Sequence, residues 1–443
     1  MKAIRLLPLV MALSAYVPGY AVTLDSVLRR TVEENHEVQQ ARINLERASG
    51  QRLVLRSVGL PDAVIGIVGG DQGGHRSGEK SNQPFGFGYG GFTQPIFNAA
   101  IPPSFRRADI EVLIAEQQLN VALTEQLHGA RVAFYSAIFN KSLNGVRTEQ
   151  RQRLEQNTSS QRDRYQSGLA TRGIFVGAEV QTRELDPQIE ASGRAYNAAV
   201  LKVAEAIGED LGPSALLPEP AGELKYVPIK LDLETAVKQT LNRRPDLQLA
   251  RLLVRAANEE QRIMEAAYYP TINAVVSGEY IPISGIRRTQ SQGSPRRSDD
   301  IISSEIRAGG AYTWRVIDNG QTYGSVMRQR SAREINELLV RKMEEDTRRD
   351  LVRIDTELKA IAAKQDLLQK ASFAAEENAT AVRQNLGGGV VSQLEFRLAE
   401  NASLEIKSNL LSLAYQQKLA LAEWDRATGR YFQFSDETAQ NVP

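Results

Sequence analysis

The sequence predicts a mixed α and β membrane protein with an internal two-fold repeat. Three observations carry this: the chain aligns with itself, each copy sets alternating strands between helices, and the helices that follow are too long for a globule. Leu24 falls on Leu233, and the same register runs without a gap to Gly69 on Gly278. Within it Thr31 meets Thr240, Gln39 meets Gln248, Ala41-Arg42 meets Ala250-Arg251, and Pro61 meets Pro270. Further on, Gly168-Leu169-Ala170-Thr171 falls on Gly389-Val390-Val391-Ser392 and Ala178-Glu179 on Ala399-Glu400. The repeats span 22–208 and 231–430, with a Pro/Gly-rich linker at 209–230 and a tail at 431–443.

Each copy opens with a Leu/Arg/Glu/Gln-rich helix, about 24–58 and 233–268, that ends before Pro61 or Pro270 because proline cannot continue a helix. The period then changes from 3.6 to 2. Strands are expected at about 61–71 and 84–97, and again at 270–281 and 301–317. Phe85, Phe87 and Tyr89 alternate with Gly86, Gly88 and Gly90, while Ile306, Ala308, Tyr312 and Trp314 oppose Glu305, Arg307, Thr313 and Arg315. Such dyads also occur in soluble sandwiches. With an export signal and polar hairpins at 75–83 and 284–299, they read as barrel wall. Four strands cannot close a barrel, which needs at least eight, so several chains must share one.

The helices at 98–165 and 319–386 would each extend on the order of 100 Å at 1.5 Å per residue. Leu351, Ile354, Leu358, Ile361, Gln365 and Leu368 step by three and four, a coiled-coil seam. A cytoskeletal rod has similar helices, but not strand pairs midway through each repeat. Asp186-Pro187 predicts a kink after the first interhelical turn.

Residues 1–21 read as a secretory leader: Lys2 and Arg5, an apolar run, then Gly19 and Ala21 at the −3 and −1 positions of a cut. Loss of Lys2 and Arg5 takes Lys+Arg from 54 to 52 against 53 Asp+Glu, so nothing in the charge suggests nucleic acid. The absence of Cys excludes disulfides, thiolate metal sites, a cysteine nucleophile and a lipidated N-terminal cysteine. His36, His75 and His128 lie far apart. No phosphate-cradling loop, nucleophile elbow or catalytic carboxylate pair is found, so neither an enzyme nor a cofactor is expected. The mean hydropathy of −0.34 and the lack of an apolar run of about 20 residues beyond the leader exclude a polytopic helical membrane protein.

Four motifs in order carry a resemblance. Thr93-Gln94-Pro95-Ile96-Phe97, Tyr165-Gln166-Ser167-Gly168-Leu169-Ala170-Thr171, Asn242-Arg243-Arg244-Pro245-Asp246-Leu247 and Trp314-Arg315-Val316-Ile317-Asp318-Asn319-Gly320 resemble segments of the TolC/OprM family of outer-membrane efflux proteins. The likeness covers the chain from about Leu24 to Gly429. It implies a homotrimer in the outer membrane of a Gram-negative bacterium. Four strands per chain would close a twelve-stranded β-barrel in outer membrane lipid, continued by a long periplasmic α-helical barrel. It also implies a passive exit duct for efflux or type I secretion, fed by an inner-membrane pump through a periplasmic adaptor protein. An exported coiled-coil structural protein or adhesin without pore activity is the alternative.

The resemblance also assigns candidate site residues. Gly168, Leu169, Ala170 and Thr171, with Gly389, Val390, Val391 and Ser392, fall on the turns that meet the adaptor; each also reads simply as a helix break recapped by Thr or Ser. Glu395 falls on an acidic position of the tunnel constriction, where three copies make a ring that attracts cations. An exposed helix-face glutamate is its plain alternative. Leu398 and Ile174 occupy positions where further acids are expected, and Leu386 and Val391 replace polar latch groups. An apolar constriction with one acidic ring is therefore expected, without the family's salt-bridged latch. Arg287, Arg288, Arg296 and Arg297 suit either lipopolysaccharide phosphates or solvent.

Overall fold

A computed structural model describes residues 20–76, 79–209, 217–283, 304–387 and 390–430. The loop at 284–299, Gly388-Gly389, the tail and all but the last two residues of the expected leader lie outside the described residues. The chain runs β1 (Tyr20–Val22), α1 (Leu24–Glu34), α2 (His36–Arg56), β2 (Asp62–Arg76), β3 (Glu79–Phe97), α3 (Ile101–Gln166), α4 (Arg172–Arg183), α5 (Asp186–Ile207) and β4 (Pro218–Pro220). It continues through α6 (Leu233–Arg243), α7 (Pro245–Glu265), β5 (Thr271–Ile283), β6 (Ser304–Thr313), α8 (Gln321–Gly387) and α9 (Gln393–Thr428). Single 3-10 turns close α2 and α7. Among the described residues, no helix is long and apolar enough to cross a membrane.

The opening helix of each repeat is not continuous, contrary to its composition. Both copies break at aligned positions, Asn35 and Arg244, by different chemistry. Pro245 bars helical backbone at the residue before it, and Arg244 is extended at φ −60° and ψ 123°. Asn35 is extended too, and its Oδ1 accepts from the N–H groups of Glu37 at 3.0 Å and Val38 at 3.2 Å, capping α2. Asp186 and Pro187 likewise start a separate helix, α5, with proline in its first turn. The strands also differ from expectation: β2 and β3 continue into the expected 75–83 loop, and β6 stops at Thr313, leaving Trp314–Ile317 beyond it.

Two compact units divide the chain, and they are not the two repeats. Each takes segments from both: one comprises Met1–Arg42, Gln118–Leu247 and Met343–Pro443, the other Ile43–Gln117 and Gln248–Lys342.

The second unit holds an antiparallel sheet of order β2-β3-β5-β6. The β3–β5 pairing joins the hairpin of the first repeat to that of the second. Residues directly opposite one another share a face, so the register separates the two surfaces. Ile65, Gly90, Gly278 and Ile306 align across the sheet, flanked by Ile67, Gly88 and Tyr280 and by Ala63, Phe92, Val276 and Ala308. Ile65, Ile67 and Ile306 are 90%, 87% and 82% exposed in the chain. The other face carries Gly66, Tyr89, Glu279 and Glu305 in one row and Val64, Gly91, Ser277 and Arg307 in the next. Phe87 and Tyr89 thus sit on the charged face, and Gly88 and Gly90 on the apolar one. A Cβ at Gly66 would run into the Tyr89 ring opposite, so a larger residue there would have to displace that ring. An irregularity between Pro95 and Phe97 brings Phe97 onto the apolar face beside Ile272 and Tyr312, an aromatic end to that surface. The same unit contains an apolar cluster of Ile110, Ile114, Leu252 and Ala256, and ion pairs from Arg106 to Glu259 and from Arg107 to Glu260, both at 2.9 Å.

The first unit is helical apart from the short parallel pair β1–β4. Val22, Val27, Leu28, Leu127, Phe134, Val203 and Ile207 form one cluster. Leu351, Ile354 and Trp424 form another, which together with Ile361, Leu413 and Ala420 buries the coiled-coil seam.

Candidate functional site

The turn between α3 and α4 is built on Gly168. Its φ of +72° continues the chain left-handedly, which glycine does without a Cβ penalty. The N–H groups of Leu169 and Ala170 then return to Arg164 O at 2.8 and 3.2 Å, satisfying a carbonyl at the end of α3. Tyr165 and Phe175 stack across the turn with centroids 5.9 Å apart, and the Arg162 guanidinium lies 5.6 Å from the Phe175 ring. The Thr158 and Thr182 hydroxyls lie 2.9 Å apart, each 3.0 Å from Ala178 O. The turn is thereby held rigid while Leu169, 72% exposed, projects from it.

The start of the next helix corrects one expectation. Thr171 has the extended backbone of an N-cap, but its hydroxyl makes no capping bond. Ser392, its counterpart in the second repeat, caps fully. Ser392 Oγ accepts the Glu395 N–H at 3.2 Å, and Glu395 Oε2 accepts from Ser392 N at 2.8 Å and from Ser392 Oγ at 2.9 Å. This is a reciprocal capping box. The hydrogen bond from the Ser392 N–H, then that from its hydroxyl, hold the Glu395 carboxyl below its ordinary range. Glu395 is therefore a cap by geometry and an exposed carboxylate by position. The second turn also exposes Val390, Leu394 and Leu398, and Ile174 is exposed at the start of α4. Gly389 lies outside the described residues, and Val391 is half-buried.

A charge cluster that the sequence reading missed lies further along these helices. Glu400 of α9 is 6% exposed and receives Arg153 of α3 at 2.6 Å and Arg383 of α8. Arg153 also pairs with Glu149 at 2.5 Å. Burial raises the Glu400 carboxyl, but the bonds from the two arginines outweigh it and leave it below its usual range. The cluster faces a cleft of about 550 Å³ whose lining includes Arg397, Phe396 and Asn401. Gln150 donates to Asn401 at 3.3 Å, and Arg397 to Gln181 of α4 at 3.0 Å. Four helices are thus tied by polar contacts. The one available signal was Glu400, aligned with Glu179. Glu179, by contrast, pairs only along its own helix, with Arg183. A salt-bridged tie between these helices thus exists, made by Arg153, Arg383 and Glu400.

Deeper in the same unit, Arg131 of α3 pairs with buried Asp425 of α9 at 2.5 Å. His128, on the same helix, lies 3.4 Å from Glu423 and 3.3 Å from Ala422 O. Among the described residues, no group of three or more His, Asp or Glu could hold a metal ion.

Residues 236–430 match the family of outer membrane efflux proteins. No curated protein sequence matches the chain. Among solved structures, the CmeC outer membrane channel of Campylobacter jejuni is similar at 15% identity, with a TM-score of 0.79 over 95% of this chain and 88% of that one. The outer membrane protein VceC of Vibrio cholerae is similar at 14% identity and a TM-score of 0.75, covering 92% of this chain and 96% of VceC. The open state of the Neisseria gonorrhoeae MtrE outer membrane channel shares 17% identity, a TM-score of 0.72, and coverage of 92% and 88%. At these identities the likeness establishes the fold.

Proposed function

We propose that the chain, whose residues 236–430 match the outer membrane efflux protein family, is the outer-membrane exit duct of a tripartite efflux or type I secretion system. One observation supports this most directly. The four-stranded sheet has an apolar face of Ile65, Ile67, Val276, Tyr280 and Ile306 and an opposite face bearing Glu279, Glu305 and Arg307. That division suits lipid on one side and water on the other.

Four strands leave β2 and β6 each with one edge unpartnered in the sheet order. Edge pairing with further copies satisfies both. In this reading a homotrimer closes a twelve-stranded barrel in the outer membrane, and the helices continue as a barrel in the periplasm. The turns at 168–171 and 389–392 receive the periplasmic adaptor, with exposed Leu169 and Val390 as apolar contacts. Glu395, Leu398 and Ile174 form the constriction, one acidic ring among apolar ones. Substrate arrives from the inner-membrane pump and passes without chemistry.

Purified protein in planar bilayers tests the reading. Outer-membrane trimers that dissociate on heating and conduct as single channels are expected. Soluble rods without conductance would overturn the duct in favour of a structural or adhesive protein.

A further inference from the structure

The N-terminus enters the fold at Tyr20. The Tyr20 hydroxyl donates to Glu209 and accepts from Arg30 Nη1 at 2.5 Å. Arg30 also pairs with Glu209 at 2.7 Å and lies 5.8 Å from the Tyr20 ring centroid. Tyr20, Ala21 and Val22 then run parallel to Pro218, Glu219 and Pro220, and the Ala221 N–H donates to Val22 O at 2.9 Å. Because Pro218 and Pro220 have no N–H, this short pairing has few donors to spare. Val22 itself is 3% exposed, packed among Val27, Leu28 and Leu127.

A cut after Ala21 is incompatible with this arrangement. It removes the Tyr20 ring and hydroxyl, leaving Arg30 and Glu209 without their shared partner. It also leaves a charged α-amine on Val22, whose side chain is packed in an apolar cluster. Gly19 and Ala21 satisfy the small-residue pattern at −3 and −1, but so do Ala12 and Ser14 further upstream.

We infer that the leader peptidase cleaves on the N-terminal side of Tyr20, so that the mature protein keeps Tyr20-Ala21-Val22 as a strand of its fold. Water adds across the scissile amide: the carboxylate leaves with the leader, and the new α-amine begins a mature chain upstream of the buried Val22. The inference rests on reading the chain as exported.

N-terminal sequencing and intact mass of the protein from outer membranes test it. A processed chain that begins at or before Tyr20 is expected, and a Val22 start would overturn the inference while leaving export intact. An unprocessed Met1 start would overturn the inference and the export reading together. Tyr20→Phe gives an independent measure. With the strand retained, losing the hydroxyl lowers the melting midpoint by about 1–2 °C. A chain starting at Val22 has no residue 20, and an unchanged midpoint counts against retention.

Discussion

Ser392 and Glu395 cap each other: the serine hydroxyl takes the Glu395 N–H at 3.2 Å while the carboxylate takes the Ser392 N–H at 2.8 Å. The carboxylate proposed for the constriction thus also pins the first turn of α9. The two roles separate chemically, because glutamine fills the same capping position without charge. Glu395→Gln is expected to keep the melting midpoint and lower cation-over-anion selectivity in bilayers. Ser392→Ala is expected to cost about 1 kcal/mol of stability, read by denaturant unfolding, with selectivity retained. Unchanged selectivity in Glu395→Gln would remove Glu395 from the constriction.

Glu400 joins Arg153 and Arg383 across three helices, and hydrogen bonds to charged groups contribute about 1.5–3 kcal/mol each when buried. Both arginines are partly exposed, so Glu400→Gln is expected to cost less, about 1–2 kcal/mol. The pH dependence has a fixed sign. The folded carboxyl titrates below its ordinary value of 4.5, so its stabilisation is complete above that value and is lost as pH falls through the lower folded one. Acid-unfolding curves of Glu400→Gln should lack that component.

His128 has the opposite chemistry but the same sign. Burial lowers its pKa from the ordinary 6.5, and nearby Glu423 and Glu125 only partly compensate, while Arg426 adds to the lowering. Between 6.5 and the lower folded value the unfolded chain binds the extra proton. Stability therefore falls as pH drops through this window. His128→Gln should flatten stability against pH there, measured as melting midpoints from pH 7.5 to 5; an unaltered slope would show that His128 does not titrate differently on unfolding.

Ile306 and Arg307 are adjacent in β6 and lie on opposite faces of the sheet. Ile306→Lys sets a charge on the proposed lipid face, at a cost of about 2–4 kcal/mol near the bilayer midplane, and should reduce the heat-modifiable trimer in outer membranes. Arg307→Ser should leave the trimer and change ion selectivity. The reverse pattern would mean that the lumen lies on the Ile306 side.

The order of elements was legible because duplication fixed it twice over and the strand period is local. Pro245 marks the break at Arg244 in plain sight, yet its aligned partner His36 carries no such mark. Only the Asn35 side chain folding onto Glu37 and Val38 makes that break. Which face of β3 meets which face of β5 was not legible either, since alternation gives two faces and register alone tells which residues share one. Glu400 escaped for a related reason: its partner Arg153 lies 247 residues away, and no spacing rule links them. The S-x-x-E context that singles out Glu395 also has a meaning in backbone capping.

The unequal capping of Thr171 and Ser392 bears on symmetry. Duplication supplies each chain with two similar turns, so the proposed trimer would offer six seats. One kind has its following helix fastened by a reciprocal serine–glutamate bond, while the other begins α4 with a hydroxyl that fastens nothing and relies on the Tyr165–Phe175 stack. A partner built with six equivalent arms would therefore meet two differently built seats in alternation, and the approximate sixfold ring would behave as a threefold one.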